Sequence, residues 1–428
     1  DKKMLNNFLF LKKINFPIFR SYLQDLLIFL IVIFSFFVSF DSYINKILLK
    51  YMIVIWLISL LFKNTVYFFK NSRLFLYIMI FSFWVFLTCI FTFELGYPYE
   101  GFFKYFLLPI LIISTSMKIE YIKYVLGAFL FGMFINEVIS YGIYFEIIQS
   151  KFLGFKIVGD KYNPIPFMPS HMEYTLFLSL AIIVSLFSIF KVKHKLGKTI
   201  LVFFTITMTI NLFLTTGRTG QFTLLGALLF LIIIYFRNNY KYIISAILVI
   251  IFIFSMAFSF SKNTNSRIKQ GYDDIVKVFK DQNYDSSLGI RLSSYVILPR
   301  LVEDERFNIF YGFGYSKLDK IIEEIHIAEF GKNTSFAHQK GHLHNSYITI
   351  FAGTGLIGFI LFILILYNIL TIRIEEDYLS YVRYSFLFVF ILAGFTENMF
   401  RQKEVIILFG IFTSIFILNN RFLEKNKI

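Results

Sequence analysis

Residues 352–370 read AGTGLIGFILFILILYNIL, an apolar run without a charged side chain. A helix needs about 20 such residues to cross the hydrocarbon core of a bilayer. Similar runs recur along the 428-residue chain, which is 57% hydrophobic and only 16% charged, with a mean hydropathy of +0.69. This composition excludes an ordinary soluble domain. A β-barrel is disfavoured, because its strands would alternate apolar and polar residues over about 10 positions. The sequence therefore predicts an all-α, polytopic integral membrane protein.

The apolar runs predict about twelve transmembrane helices. They lie near residues 23–40, 46–62, 74–93, 101–117, 125–145, 173–190, 199–216, 220–236, 243–260, 352–370, 384–396 and 405–420. Helices 1–9 fall within residues 1–260, a long polar loop follows at 261–346, and helices 10–12 fall within 347–428. The single cysteine, Cys89, lies in an apolar run and excludes a disulfide framework.

The basic residues sort to alternate loops. With the N-terminus in the cytoplasm, the inner loops carry most of the lysines and arginines, whereas the short loop at 94–100 carries Glu94 and Glu100. The positive-inside rule then predicts that both ends lie in the cytoplasm and that loop 261–346, which has a helical pattern around 265–281 and 317–330, lies outside. The net charge of +15 is thus explained by topology, and a nucleic-acid partner has no separate support.

Arg218 lies in a short polar break between two predicted helices. The break reads Thr215-Thr216-Gly217-Arg218-Thr219-Gly220, and its small residues allow a tight hairpin. An arginine in so short an outer hairpin opposes the positive-inside bias. It either extends its charge to the membrane surface or is retained to bind an anion.

The long loop carries further arginines. An arginine fork can hold two oxygens of a phosphate at once, which suits Arg291 to a diphosphate. Loop arginines such as Arg291 and Arg300 are more often solvated or paired with nearby acids such as Glu303.

Three histidines precede the helix that begins near residue 347. His338 and His342 have the i, i+4 spacing of some metal sites, but Gly341 interrupts the helix and no acidic ligand follows at a diagnostic interval. His344 could instead take a proton from a sugar hydroxyl near neutral pH, with Asn345 orienting it. A structural capping role for the histidine is the remaining alternative.

Three other features are notable. Glu137 lies inside the fifth predicted span, where a carboxylate is costly unless it faces a cavity or a partner. Residues 353–358 fit G-x-G-x-x-G, but no strand precedes them, so the glycines are interpreted as sites of close helix packing rather than a dinucleotide site. The turn at Glu397 and Arg401 between the last two spans is interpreted mainly as an ion pair.

Together these motifs resemble the bacterial O-antigen ligase family, which also includes O-antigen polymerases. The resemblance covers mainly residues 200–370. It is carried by Thr216-Gly217-Arg218-Thr219-Gly220, Gly289-Ile290-Arg291-Leu292, Tyr311-Gly312-Phe313-Gly314, and His344-Asn345-Ser346-Tyr347 followed by Ala352-Gly353-Thr354-Gly355-Leu356-Ile357-Gly358.

The resemblance implies a GT-C-like glycosyltransferase of the bacterial inner membrane, acting at the periplasmic face on a glycan carried by undecaprenyl diphosphate. Arg218 and Arg291 would match the arginines that bind the donor diphosphate, and His344 the catalytic histidine. The supporting candidates are Asn345, Arg300, His342 and Glu137. Neither a metal nor another cofactor is expected.

The possible functions within this family differ in the molecule that accepts the glycan. A ligase would transfer the glycan to lipid A-core, and the turn at 397–402 favours this assignment. A polymerase would transfer it to a second lipid-linked repeat. A transporter of lipid-linked oligosaccharide is a more remote alternative, since it would predict two similar halves and short loops.

Overall fold

The computed structural model describes residues 16–40, 42–94, 101–149, 151–152, 154–260, 262–331 and 342–425. Within these residues the regular secondary structure is helical apart from one two-stranded antiparallel hairpin, β1 (Lys151–Phe152) and β2 (Phe155–Lys156). The Pro-rich run at 163–169 is not helical, as its prolines predict.

The helices before the long polar loop are α1 (Phe16–Phe37), α2 (Ser42–Ile58), α3 (Thr65–Asn71), α4 (Arg73–Phe91), α5 (Leu108–Ser116), α6 (Ile122–Tyr144), α7 (His171–Lys191), α8 (Lys195–Leu214), α9 (Arg218–Tyr235) and α10 (Tyr240–Phe260). Short 3-10 turns at Leu61–Asn64 and Ile119–Tyr121 and a π-turn at Phe103–Leu107 connect some of them.

The remaining helices are α11 (Lys262–Asp281), α12 (Ser287–Val296), α13 (Leu298–Glu303), α14 (Leu318–Phe330), α15 (Ser346–Thr371), α16 (Asp377–Thr396) and α17 (Lys403–Lys425). Helices α11 and α14 match the two helical patterns expected in the polar loop.

The described residues confirm an all-α membrane protein. Nine of their helices are long and apolar enough to span a bilayer, and a bent pair, Tyr43–Ile58 with Leu61–Asn71, would make ten. Each of the twelve predicted apolar runs overlaps a helix. The count of about twelve spans remains a prediction.

Two helices form the centre of the bundle. The apolar window of α17 is 89% buried and that of α7 is 72% buried, whereas α1 and α8 bury only 28% and 22%. A helix enclosed by others is apolar on all sides, while an outer helix presents its exposed apolar face to lipid. Helices α9 and α16 pack against α7 and against each other.

The polar loop folds onto one end of the bundle. Its helices share a small apolar core with the start of α15, including the buried side chains of Leu301, Phe313, Ile322, Leu343 and Ile348. Burying a side chain of this size contributes about 1.5–3 kcal/mol. This core fixes the loop relative to α15 and so relative to His344.

The turn at residues 309–315 packs against a break in helix α15. Gly355 has a φ of +67°, and the Leu356 N–H donates to the Ile309 carbonyl at 2.8 Å. The Phe313 N–H likewise donates to the Ala352 carbonyl at 2.8 Å, and Gly312 has a φ of +72°. The glycines of the 353–358 stretch therefore allow a close approach of backbone to backbone.

Candidate active site

Glu397 joins two of the predicted site residues. Its Oε1 atom lies 2.6 Å from Nη2 of Arg291, and its Oε2 atom lies 3.0 Å from Nδ1 of His344. The Glu397 side chain is fully buried, whereas those of Arg291 and His344 are 18% and 13% exposed. The buried carboxylate thus contacts both groups on their protein side. A part of the Arg291 and His344 side chains remains exposed to solvent.

Helix α12 presents Arg291. Its N-cap, Ser286, accepts a hydrogen bond from the Gly289 N–H at 3.1 Å, which satisfies one of the open amides of the first turn. A Cβ on Gly289 would lie 2.3 Å from the Tyr284 carbonyl oxygen, so a larger residue would displace the helix. Arg291 also donates through Nη1 to the Ser287 carbonyl and hydroxyl, at 2.5 and 2.8 Å, which fixes the guanidinium.

His344 is held from both sides of its backbone. Leu343 is fully buried in the small core, and the His344 N–H donates to the Ser294 hydroxyl at 3.0 Å. Ser294 lies three residues after Arg291 on the same helix, so one face of α12 positions both the arginine and the histidine. Asn345 is the N-cap of α15 and accepts a hydrogen bond from the Ile348 N–H at 2.9 Å. The Asn345 side chain thus caps α15, while Nδ1 of the His344 ring contacts Glu397.

The turn around Glu397 is fixed to the start of α15. The Ser346 hydroxyl donates to the Glu397 carbonyl and accepts from the Met399 N–H, both at 2.8 Å. The Asn398 amide donates to the Thr349 hydroxyl at 3.1 Å. Because these groups are buried, breaking their hydrogen bonds would leave polar atoms without partners away from water. This cost holds the turn around Glu397 in place.

This geometry assigns the histidine tautomer. An ionised carboxylate only accepts hydrogen bonds, so Nδ1 of His344 carries the proton and donates to Glu397. Nε2 is then the basic nitrogen. A carboxylate in this position can also stabilise an imidazolium, as the acid beside histidine does in known catalytic triads.

Arg218 begins α9 at the same end of the bundle. Gly217 and Gly220 allow this helix to approach α7, because a Cβ on either would lie 2.4 Å from Thr175. Nη1 of Arg218 lies 3.8 Å from Oδ2 of the largely buried Asp274, and the Leu288 N–H donates to the same oxygen at 3.4 Å.

Arg291 and the backbone beside Arg218 therefore both lie against the first turn of α7. Nη2 of Arg291 lies 3.7 Å from the sulfur of Met172, and the backbone beside Arg218 packs on His171. The structure thus places Arg218, Arg291 and His344 in one region at this end of the bundle.

The same region contains acids that sequence reasoning missed. The sequence predicts an ion pair within the turn at Glu397 and Arg401, but Arg401 pairs with Asp319 and Glu397 pairs with Arg291. Glu173 and Glu404 are also buried, and the carboxylate of Glu173 interacts electrostatically with those of Glu404 and Glu397. The available signal was the presence of acids at predicted membrane boundaries, where a carboxylate without a function is costly.

His342 packs against the site. Its ring lies edge-on to that of His344, with centroids 4.7 Å apart. Burial, followed by the positive charge that His344 can carry, lowers the pKa of His342 to about 3, so this ring is neutral near pH 7. One ligand atom each from His342, His344 and Glu397 lies within 4.8 Å of the others, a set that could hold a metal ion. Arg291 already supplies a positive charge to this carboxylate.

Two candidates lie elsewhere. Arg300 is exposed and pairs with Glu329 at 3.1 Å and with Glu303 at 3.5 Å. Glu137 is buried on α6, close to Tyr141 and Thr207, and the described contacts do not join it to Glu397. His338 lies outside the described residues.

The fold and the site define a class: a multi-pass membrane protein in which arginines, a histidine and a buried acid converge at one end of the bundle. Residues 203–363 match the family model described as O-antigen ligase. This match agrees with the resemblance of the motifs, and its span contains Arg218, Arg291 and His344, whereas Glu397 lies beyond it. No curated protein matches the chain. The family supports an O-antigen ligase-type, glycosyltransferase-like function.

Proposed function

We propose that this protein is an O-antigen ligase that transfers a glycan from undecaprenyl diphosphate to lipid A-core at the periplasmic face of the bacterial inner membrane. The observation that carries the proposal is the shared carboxylate of Glu397, 2.6 Å from Arg291 and 3.0 Å from His344. It supports the proposal because a guanidinium suited to binding an anion and an imidazole suited to accepting a proton lie side by side at one end of the bundle.

The donor already has a good leaving group. During transfer, the bond between the anomeric carbon and the diphosphate oxygen breaks, and the electron pair leaves with the undecaprenyl diphosphate. The acceptor hydroxyl forms the new bond to the anomeric carbon, and its proton goes to Nε2 of His344. The protein must therefore stabilise negative charge on the phosphates and position the hydroxyl.

Arg291 and Arg218 are suited to the charge on the diphosphate. Without the donor, each arginine lies close to a largely buried acid, Glu397 or Asp274, and each side chain keeps an exposed part, 18% for Arg291 and 33% for Arg218. Their positive charges are thus held in place before the donor arrives, so little reorganisation is needed. In this mechanism arginines do the work that a divalent cation performs in other glycosyltransferases, and no metal is required.

The test is the surface glycolipid profile of a deletion strain, measured together with its pool of undecaprenyl-linked glycan. Polymer retained on the carrier but missing from lipid A-core supports the ligase. Single repeats attached to the core would assign the protein as a polymerase instead. An unchanged profile would contradict both functions.

A further inference from the structure

A second basic site lies at the end of the bundle opposite His344. Helix α15 starts beside His344 and ends at Thr371, where two adjoining cavities of about 540 and 850 Å³ share Thr371, Ile372, Arg373 and Asn420. The basic residues of their linings are Lys70, Arg73, Arg373 and Arg383. Glu375 is the only acid among the described lining residues, so the cavity carries a net positive charge.

Arg383 provides a buried charge in this cavity. It is 3% exposed, donates through Nη1 to the Ile372 carbonyl and through Nη2 to the Ser380 hydroxyl at 3.3 Å, and its Cζ lies 4.2 Å from the ring centre of Tyr384. Its Nε atom is buried without a hydrogen-bond partner, and none of the described carboxylates forms an ion pair with it. A buried guanidinium that lacks a counter-ion is costly, and an anion in the cavity would offset that cost.

The exposed cations of the cavity also lack acidic partners. Within the described part of the chain, Lys70, Arg73 and Arg373 form no ion pair, whereas two lysines at this end do: Lys191 pairs with Glu376 at 2.7 Å and Lys118 with Asp25 at 3.7 Å. The charges of Lys70, Arg73 and Arg373 are thus not neutralised by an ion pair.

An apolar stripe leads to the same place. Five side chains on α15 are 38–58% exposed and recur at helical spacing: Leu356, Ile360, Ile363, Tyr367 and Leu370. Leu370 also lines the larger cavity. A ligand with an anionic head and apolar chains would match both features, whereas a soluble anion would use only the charge.

We propose that this cavity binds the headgroup phosphate of an anionic phospholipid, with its acyl chains lying along the α15 stripe. Basic pockets between helices on the cytoplasmic side suit such headgroups, and the basic residues of this end predict that it faces the cytoplasm. A zwitterionic lipid fits less well, because its cationic group would face the four basic side chains.

The proposal can be tested with the full chain in detergent micelles. Phosphatidylglycerol with a fluorescent acyl chain is titrated and its anisotropy measured, with identically labelled phosphatidylcholine as the comparison lipid. We expect saturable binding of phosphatidylglycerol and binding of phosphatidylcholine that is weaker by roughly tenfold or more. The double variant Arg73→Gln, Arg373→Gln should weaken phosphatidylglycerol binding by roughly tenfold or more. These side chains are exposed, so the variant should fold.

The matched control is Lys193→Gln, Lys195→Gln, which removes two exposed cations at the same end but outside the cavity linings. It should bind phosphatidylglycerol like the unmodified protein. Equal affinity for the two lipids, or equal weakening by both double variants, would overturn the proposal. Displacement of the labelled lipid by an excess of inorganic phosphate would assign the cavity to a soluble phosphate instead. None of these outcomes depends on glycan transfer.

Discussion

Nδ1 of His344 lies 3.0 Å from Oε2 of Glu397, although the two residues are 53 positions apart in the chain. The same carboxylate binds Arg291, which is 106 positions before it. A single buried acid therefore sets the orientation of the proposed base and holds the proposed diphosphate-binding group.

Removing the charge of Glu397 should slow glycan transfer strongly. In Glu397→Gln the amide can occupy the same space, but it no longer stabilises a protonated His344, and we expect a loss of roughly 10²-fold or more. His344→Ala should abolish transfer. Both are measured as transfer rate in membranes containing equal amounts of protein.

Glu376→Gln is the control for Glu397→Gln, because Glu376 is an exposed acid at the opposite end. It should leave the rate unchanged. Full activity of His344→Ala would refute the assigned base.

The fork of Arg291 should matter beyond its charge. Arg291→Lys keeps a cation but cannot contact Glu397, Ser287 and a diphosphate with one planar group, so we expect a rate roughly tenfold or more below that of the unmodified protein. Arg291→Ala and Arg218→Ala should abolish transfer while the protein remains in the membrane. The surface glycolipid ladder and the amount of membrane-bound protein measure these effects. If Arg291→Lys transfers at the full rate, charge alone is sufficient.

The break in α15 should tolerate only glycine. Gly355→Ala would place a Cβ 2.3 Å from the Phe310 carbonyl at a φ of +67°, so we expect a loss of roughly 2 kcal/mol or more of stability. Gly127→Ala is the matched control, since nothing lies within 4 Å of the added Cβ and a helical alanine is favourable. Thermal unfolding in detergent should show a lower melting temperature for the first variant only.

Acid should destabilise the protein partly through His326. This ring is 1% exposed, and burial, followed by the charge of His344, lowers its pKa to about 4 from the ordinary 6.5. Since the unfolded chain takes up the proton first, stability is complete above pH 6.5 and falls as the pH drops toward 4, by about 2 kcal/mol at pH 5. Unfolding of His326→Gln should depend less on pH over this range. An identical pH dependence in the variant would show that His326 contributes nothing.

Chelation separates the arginine mechanism from a metal site. With Arg291 neutralising Glu397, we expect a chelator to leave the transfer rate unchanged. A loss of activity that zinc restores would instead identify His342, His344 and Glu397 as ligands, which their separation of up to 4.8 Å allows.

The sequence alone determined the membrane architecture and the main candidates for the site. Crossing a bilayer depends on the hydropathy of each segment by itself, so the runs near 74–93 and 352–370 predict their helices without knowledge of their neighbours. Arg218, in a short polar break, and His344, at the edge of a predicted span, can be identified for the same reason, because the cost of placing a polar residue near lipid is local.

Only the tertiary structure decided which groups meet. Glu397 binds His344 and Arg291 because α12, α15 and the turn after α16 pack together, whereas Arg300 pairs with Glu329 away from them. The basic cavity around Arg383 likewise depends on the packing of helices that are distant in the chain. Such contacts are set by the shapes of whole helix surfaces, and a pattern within one segment does not contain that information.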